Sequence, residues 1–125
     1  VEPKKILVVD DSKLMHKMYE VMLRQYDLVH AYDGRDALES LGEHSDTDLI
    51  FLDINMPTMN GLEFLEAVKR DPTMAEIPVV IISTEGKEED TQRGLEAGAV
   101  AYIRKPFQNE QILEVISRVR EGSAA

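Results

Sequence analysis

Apolar residues follow two rhythms along this chain. Four short unbroken runs, Ile6-Leu7-Val8-Val9, Leu49-Ile50-Phe51-Leu52, Val79-Val80-Ile81-Ile82 and Ala101-Tyr102-Ile103, have the length and make-up of strands buried on both faces of a parallel sheet. Between them the spacing is helical. Leu14, Met15, Met18, Val21 and Met22 recur at three- and four-residue intervals, with Lys13, His16, Lys17, Glu20 and Arg24 between them. That predicts an amphipathic helix with Ser12 as its N-cap. A second strand is expected over Leu28 to Ala31, then the turn Asp33-Gly34 and a helix carrying Ala37, Leu38 and Leu41. A loop with Pro and Asn-Gly punctuation, Asn55 to Gly61, feeds a helix through Leu62, Leu65 and Val68 that Asp71-Pro72 stops. Pro78 opens the fourth run, where its missing N–H costs little. The segment Glu85 to Ala97 ends at Gly98 like a capped helix, yet Leu95 is nearly its only large apolar residue, so its anchorage is weak. A last helix from about Asn109 to Glu121 should bury Ile112, Leu113, Ile116 and Val119.

Strand and helix therefore alternate five times, the pattern of a doubly wound, flavodoxin-like α/β domain. Each of the four apolar runs ends on polar residues: Asp10-Asp11, Asp53, Ser83 and Arg104-Lys105. In an open parallel sheet the carboxyl ends of the strands share one edge, and ligands bind in the crevice there. That edge would collect three carboxylates, a hydroxyl and an ammonium.

Composition narrows the chemistry. The chain of 125 residues fits one domain, expected over 1–121 with 122–125 as a tail. No apolar stretch approaches the ~18 residues of a membrane span, and the N-terminus has no signal-like apolar region. With no cysteine, disulfides, thiolate metal sites and thiol catalysis are excluded, and a cytoplasmic location is the default. A net charge of −10 argues against direct binding to nucleic acid.

Asp10 and Asp11 beside Asp53 would repel one another unless a cation sits among them. Mg²⁺ fits, since it takes hard oxygen ligands and no histidine or cysteine set competes for zinc. The alternative is that Asp10 and Asp11 only cap the first helix, although capping needs one acid and the helix-dipole gain is small, about 0.3–1 kcal/mol. Asp53 is the best nucleophile candidate: a carboxylate can attack phosphorus and hold the group as an acyl phosphate. Its bland alternative is a third metal ligand without a covalent role. Lys105 offers a compact charge for a phosphoryl oxygen, with Arg104 the solvated neighbour. Ser83 could donate a hydrogen bond to the same group, as could Thr84 if the register differs by one. His16, His30 and His44 are scattered without pairing, and none is a convincing phosphate carrier.

Asp10-Asp11, Asp53 in Leu-Asp-Ile-Asn-Met-Pro, Ser83-Thr84-Glu85, Ala97-Gly98-Ala99 and Lys105-Pro106-Phe107 together closely resemble the receiver domain of two-component response regulators, over essentially the whole chain. The resemblance implies a five-stranded parallel sheet of order 2-1-3-4-5. It implies that Asp53 accepts a phosphoryl group from a phosphohistidine on a sensor histidine kinase or phosphotransfer protein. Mg²⁺ would be held by the Asp10 and Asp53 carboxylates and the Asn55 main-chain carbonyl, with Asp11 on a metal-bound water. Lys105 would pair with phosphoryl oxygens, Ser83 would be the switch hydroxyl, and the Tyr102 ring would rotate into the space that Ser83 vacates. Asn55 and Glu85 would tune the lifetime of the phosphorylated form, and the Lys105-Pro106 bond would be cis, against a base rate of about 5%. Where family members often have a glycine ending the first helix, this chain has Gln25-Tyr26-Asp27, which leaves that helix end and the next strand's register open.

The function implied is a phosphorylation-activated switch that catalyses only its own phosphorylation and dephosphorylation. It would signal to a protein target or an output domain through the fourth helix, fifth strand and fifth helix, with Val115 or Arg118 meeting the partner. A Mg²⁺-dependent aspartyl-phosphate phosphatase or phosphotransferase on a small molecule is the alternative, but it would need a cap that this length does not hold. A flavin or nucleotide module would need a phosphate-cradling loop where Asp10-Asp11 stands.

Overall fold

A computed structural model describes residues 4–54, 61–84 and 88–120. Strands and helices alternate as β1 (Lys5–Val9), α1 (Lys13–Met22), β2 (Asp27–Ala31), α2 (Gly34–Glu43), β3 (Leu49–Asp53), α3 (Gly61–Arg70), β4 (Val79–Thr84), α4 (Glu88–Glu96), β5 (Ala101–Lys105) and α5 (Asn109–Arg120). The strands form one parallel sheet in the order β2-β1-β3-β4-β5. The alternation predicts the doubly wound α/β class, and the strand order is the one that the receiver-domain resemblance implies. Strand residues alternate between two cores: Leu7, Val9, Ile50, Leu52 and Ile81 pack with α2 and α3, and Ile6, Val8, Phe51, Ile82 and Ile103 with α1 and α5. Double burial explains why β1, β3 and β4 read as unbroken apolar runs, whereas β5, at the sheet edge, is not buried on both faces as expected: its residues alternate, with Tyr102 exposed. Among the described residues no helix is long and apolar enough to cross a membrane.

Local signals act as the residue types require. Asp33 caps α2 by accepting the Asp36 N–H at 2.8 Å, and Asp36 accepts the Tyr32 N–H at 3.0 Å in return. Gly98 sits in the left-handed region at φ +117° and closes the turn after α4. The open end of α1 resolves without glycine: the Leu23 N–H donates to the Tyr19 carbonyl at 2.8 Å, and the Asp27 N–H to the Lys4 carbonyl at 2.8 Å, so β2 starts one residue before the expected Leu28.

Several helix faces differ from the expected ones. On α1, Leu14, Met18 and Val21 are exposed, and the buried positions are His16 and Tyr19, with Leu23 just beyond the helix. Met15 and Met22 pack against the core as expected, but the most buried positions lie to one side of the apolar stripe, where Tyr19 stacks on Phe51 with ring centroids 5.9 Å apart. On α5, Leu113 is exposed and Val115 is buried against the sheet, so Val115 is core and not a partner contact. Arg118 is half exposed and pairs with Glu114 at 3.1 Å. α4 buries only Thr91 and Gly94 among its described residues, in keeping with the weak anchorage expected for it.

Candidate functional site

Val9 pairs with Leu52, so the next position of each strand is an acid, Asp10 after β1 and Asp53 closing β3. Both side chains extend the alternating rows that face α1 and α5. Asp10 is 1% exposed and Asp53 4%, whereas Asp11 lies exposed on the turn into α1. One carboxylate oxygen from each of the three comes within 4.8 Å of the others.

Like charges this close, two of them out of water, need a counterion. Lys105, at the end of β5, reaches both buried acids: its Nζ donates to Asp10 Oδ2 at 3.0 Å and to Asp53 Oδ2 at 3.4 Å. Burial pulls the Lys105 pKa down, but the charges and hydrogen bonds of Asp53 and Asp10 outweigh it, and the net shift is upward. The ammonium is therefore fully charged at neutral pH. The other Asp10 oxygen, Oδ1, accepts the Ser12 N–H at 2.9 Å, and Ser12 Oγ accepts the Met15 N–H at 3.2 Å as the expected N-cap. Asp10 thus fixes the turn while serine starts the helix. Burial, then the Asp10 and Asp53 charges, push the nearby Tyr19 phenol far above its usual range and keep it neutral.

The donor set is hard oxygen throughout and carries net negative charge even with Lys105 counted, which suits a divalent cation of the Mg²⁺ or Ca²⁺ type and not zinc. The start of α3 packs directly on this edge. A Cβ on Gly61 would collide with the Ile54 Cα and the Asp53 carbonyl oxygen, so only glycine permits that approach.

Ser83 is 2% exposed and stands one residue beyond Ile82, the strand partner of Asp53; the Thr84 backbone pairs with Lys105. Tyr102 points away from the core and is 47% exposed, and Arg104 pairs with Glu88 of α4 at 3.7 Å. The Lys105–Pro106 peptide bond is cis. Asn55 and Glu85 lie outside the described residues.

One part of the surroundings went unread. His16 and His30, expected to be unpaired, meet Nδ1 to Nδ1 at 2.7 Å, and His16 Nε2 lies 2.8 Å from the Asp10 carbonyl oxygen. Fourteen residues separate the two histidines in sequence. Only the pairing of β1 with β2 brings them together, and no local pattern signals it. His44 instead contacts the Lys5 ammonium at 3.3 Å, at the opposite end of β1 from Asp10.

Comparison with known proteins agrees with this geometry. Residues 6–117 match the family model of the response regulator receiver domain. The chemotaxis protein CheY1 of Helicobacter pylori is 37% identical over 118 residues, spanning 92% of this chain and 95% of that protein. The phosphate regulon transcriptional regulatory protein PhoB of Escherichia coli is 38% identical over 93% of this chain, but only 51% of its own length is matched. The solved structure of the chemotaxis response regulator CheY4 of Vibrio cholerae superposes with a TM-score of 0.85 at 36% identity, covering 93% of this chain and 98% of that one. With its sheet order, its edge of acids and this similarity in agreement, the chain belongs to the response regulator receiver domains.

Proposed function

We propose that the protein is a phosphorylation-activated switch of a two-component phosphorelay in which Asp53 is the phosphoacceptor. The observation that carries the reading is the buried Asp53 carboxylate, clustered with two further acids and bridged to Asp10 by Lys105. Asp10, Asp11 and Asp53 would hold Mg²⁺ together with the Asn55 main-chain carbonyl. When bound, the cation offsets the charge of the phosphoryl oxygens. A carboxylate oxygen of Asp53 attacks phosphorus, the bond from phosphorus to the donor imidazole nitrogen breaks, and that nitrogen keeps the electron pair. Lys105, already within reach of Asp53, pairs with a phosphoryl oxygen of the product. Ser83 donates its hydroxyl to the same group, and Tyr102 turns inward behind it.

The phosphoryl contacts of Ser83 and Lys105 exist in one conformation only, and that difference biases the equilibrium. α4 is the element cheapest to move, given its sparse core contacts. The output is a surface of α4, β5 and α5 read by a protein target or an output domain, and the donor is a sensor histidine kinase or phosphotransfer protein in the cytoplasm. In this reading residues 1–121 form the receiver unit and 122–125 a tail, Asn55 and Glu85 tune the lifetime of the phosphorylated state, and no separate substrate is turned over.

Intact-mass measurement after incubation with acetyl phosphate tests the reading. One phosphoryl adduct is expected in the wild type with Mg²⁺, none without it and none in Asp53→Asn. Equal labelling of Asp53→Asn overturns the assignment.

A further inference from the structure

β2 gives Asp10 a partner for its N–H, the Ala31 carbonyl at 3.1 Å, but the chain then turns into α1. The Asp10 carbonyl is met instead by a side chain six residues on, His16 Nε2 at 2.8 Å. A carbonyl oxygen can only accept, so this nitrogen carries the hydrogen. With Nε2 as the donor to that carbonyl, the arrangement that connects the two rings has His16 Nδ1 accepting from His30 Nδ1 at 2.7 Å. His30 Nε2 faces the Glu20 carboxylate at 3.7 Å. The result is a connected chain from β2 through α1 to the end of β1. The His16 ring is 3% exposed and lies 4.2 Å from the Tyr32 ring, tilted by 37°, so it has little freedom to turn.

That chain ends on the peptide joining Asp10 to Asp11, two of the three clustered acids. The Asp10 side chain is pinned through both oxygens, by Ser12 and Lys105, and His16 completes the set by pinning its carbonyl. Rotation of this peptide would swing the exposed Asp11 carboxylate relative to the two buried ones. The geometry points to His16, oriented by His30, as a positioning residue that sets the peptide for divalent-cation binding. Partners one bond removed from a metal ligand are worth about 10- to 100-fold in affinity. Holding a carbonyl and not the ligating oxygen itself places His16 near the lower figure. The inference rests on the proposed Mg²⁺ site but not on phosphoryl transfer.

The test is Mg²⁺ titration of the full chain, followed by backbone amide chemical shifts, for wild type, His16→Leu, His16→Gln and His30→Leu. His16→Leu should weaken Mg²⁺ binding by about tenfold. His16→Gln, whose terminal amide can donate from the same place, should return it to within about twofold, and His30→Leu should fall between the two. Nitrogen-15 spectra of the wild type should show His16 protonated at Nε2 and His30 at Nδ1. Unchanged affinity in His16→Leu, equal weakening in the Leu and Gln variants, a His16 proton on Nδ1, or no Mg²⁺ binding by the wild type overturns the inference. Wild type that binds Mg²⁺ with this pattern yet gains no phosphoryl group would instead refute the acceptor role of Asp53 and leave His16 in place.

Discussion

Lys105 is the residue on which the electrostatics of the site turn. Without it, Asp10 and Asp53 would face each other with no ammonium between them at 1% and 4% exposure. Removing one partner of a buried ionic group is costly, but the lysine side chain is 25% exposed, so water can enter and moderate the loss. In chelator, Lys105→Ala should lose about 1–3 kcal/mol of stability by urea unfolding, and Mg²⁺ should restore part of it. The same variant should still accept phosphate while coupling it poorly to any change in shape. At this scale the sequence was informative for side chains that end strands, because strand ends must share an edge. It was silent on His16 and His30, whose partnership depends on which strands are neighbours.

Elements were legible where burial is symmetric. β1, β3 and β4 are covered on both faces and therefore read as unbroken apolar runs, whereas α1 misled. Its Leu14, Met18 and Val21 are more apolar than the His16 that it buries, so a hydrophobicity pattern places Met15 and Met22 correctly and misplaces those three. Gly61 was a second case. Asn60-Gly61 reads as turn punctuation, yet the glycine is the first residue of α3 and lets the helix rest on the Asp53–Ile54 backbone. Nothing local distinguishes those two reasons for a glycine. Gly61→Ala should cost about 1–3 kcal/mol through overpacking, read as a lower urea midpoint, even though alanine is the better helix former. A gain in stability would show that α3 can shift outward freely.

For the whole molecule, acid sensitivity follows from the histidine pair. Burial, then the neighbouring His16, hold the His30 pKa below its ordinary 6.5, with Glu20 opposing. The unfolded chain therefore takes up this proton more readily than the folded one. The contribution of neutral His30 to stability is complete above about pH 6.5 and is lost as pH falls through its depressed folded value. Between about pH 7.5 and 5.5 the wild type should lose more stability than His30→Gln, measured by urea unfolding at each pH. Lys105 has the opposite sign: its raised pKa keeps its contribution whole through neutrality and surrenders it only in strong alkali.

The bond from Lys105 to Asp10 spans 95 residues of sequence, and closing so long a loop is among the slower and more entropically costly steps of folding. A nascent chain leaving the ribosome holds β1 and β3 well before β5 exists. During that interval its acids lack their ammonium, so the charge set of the site is assembled only once β5 has emerged.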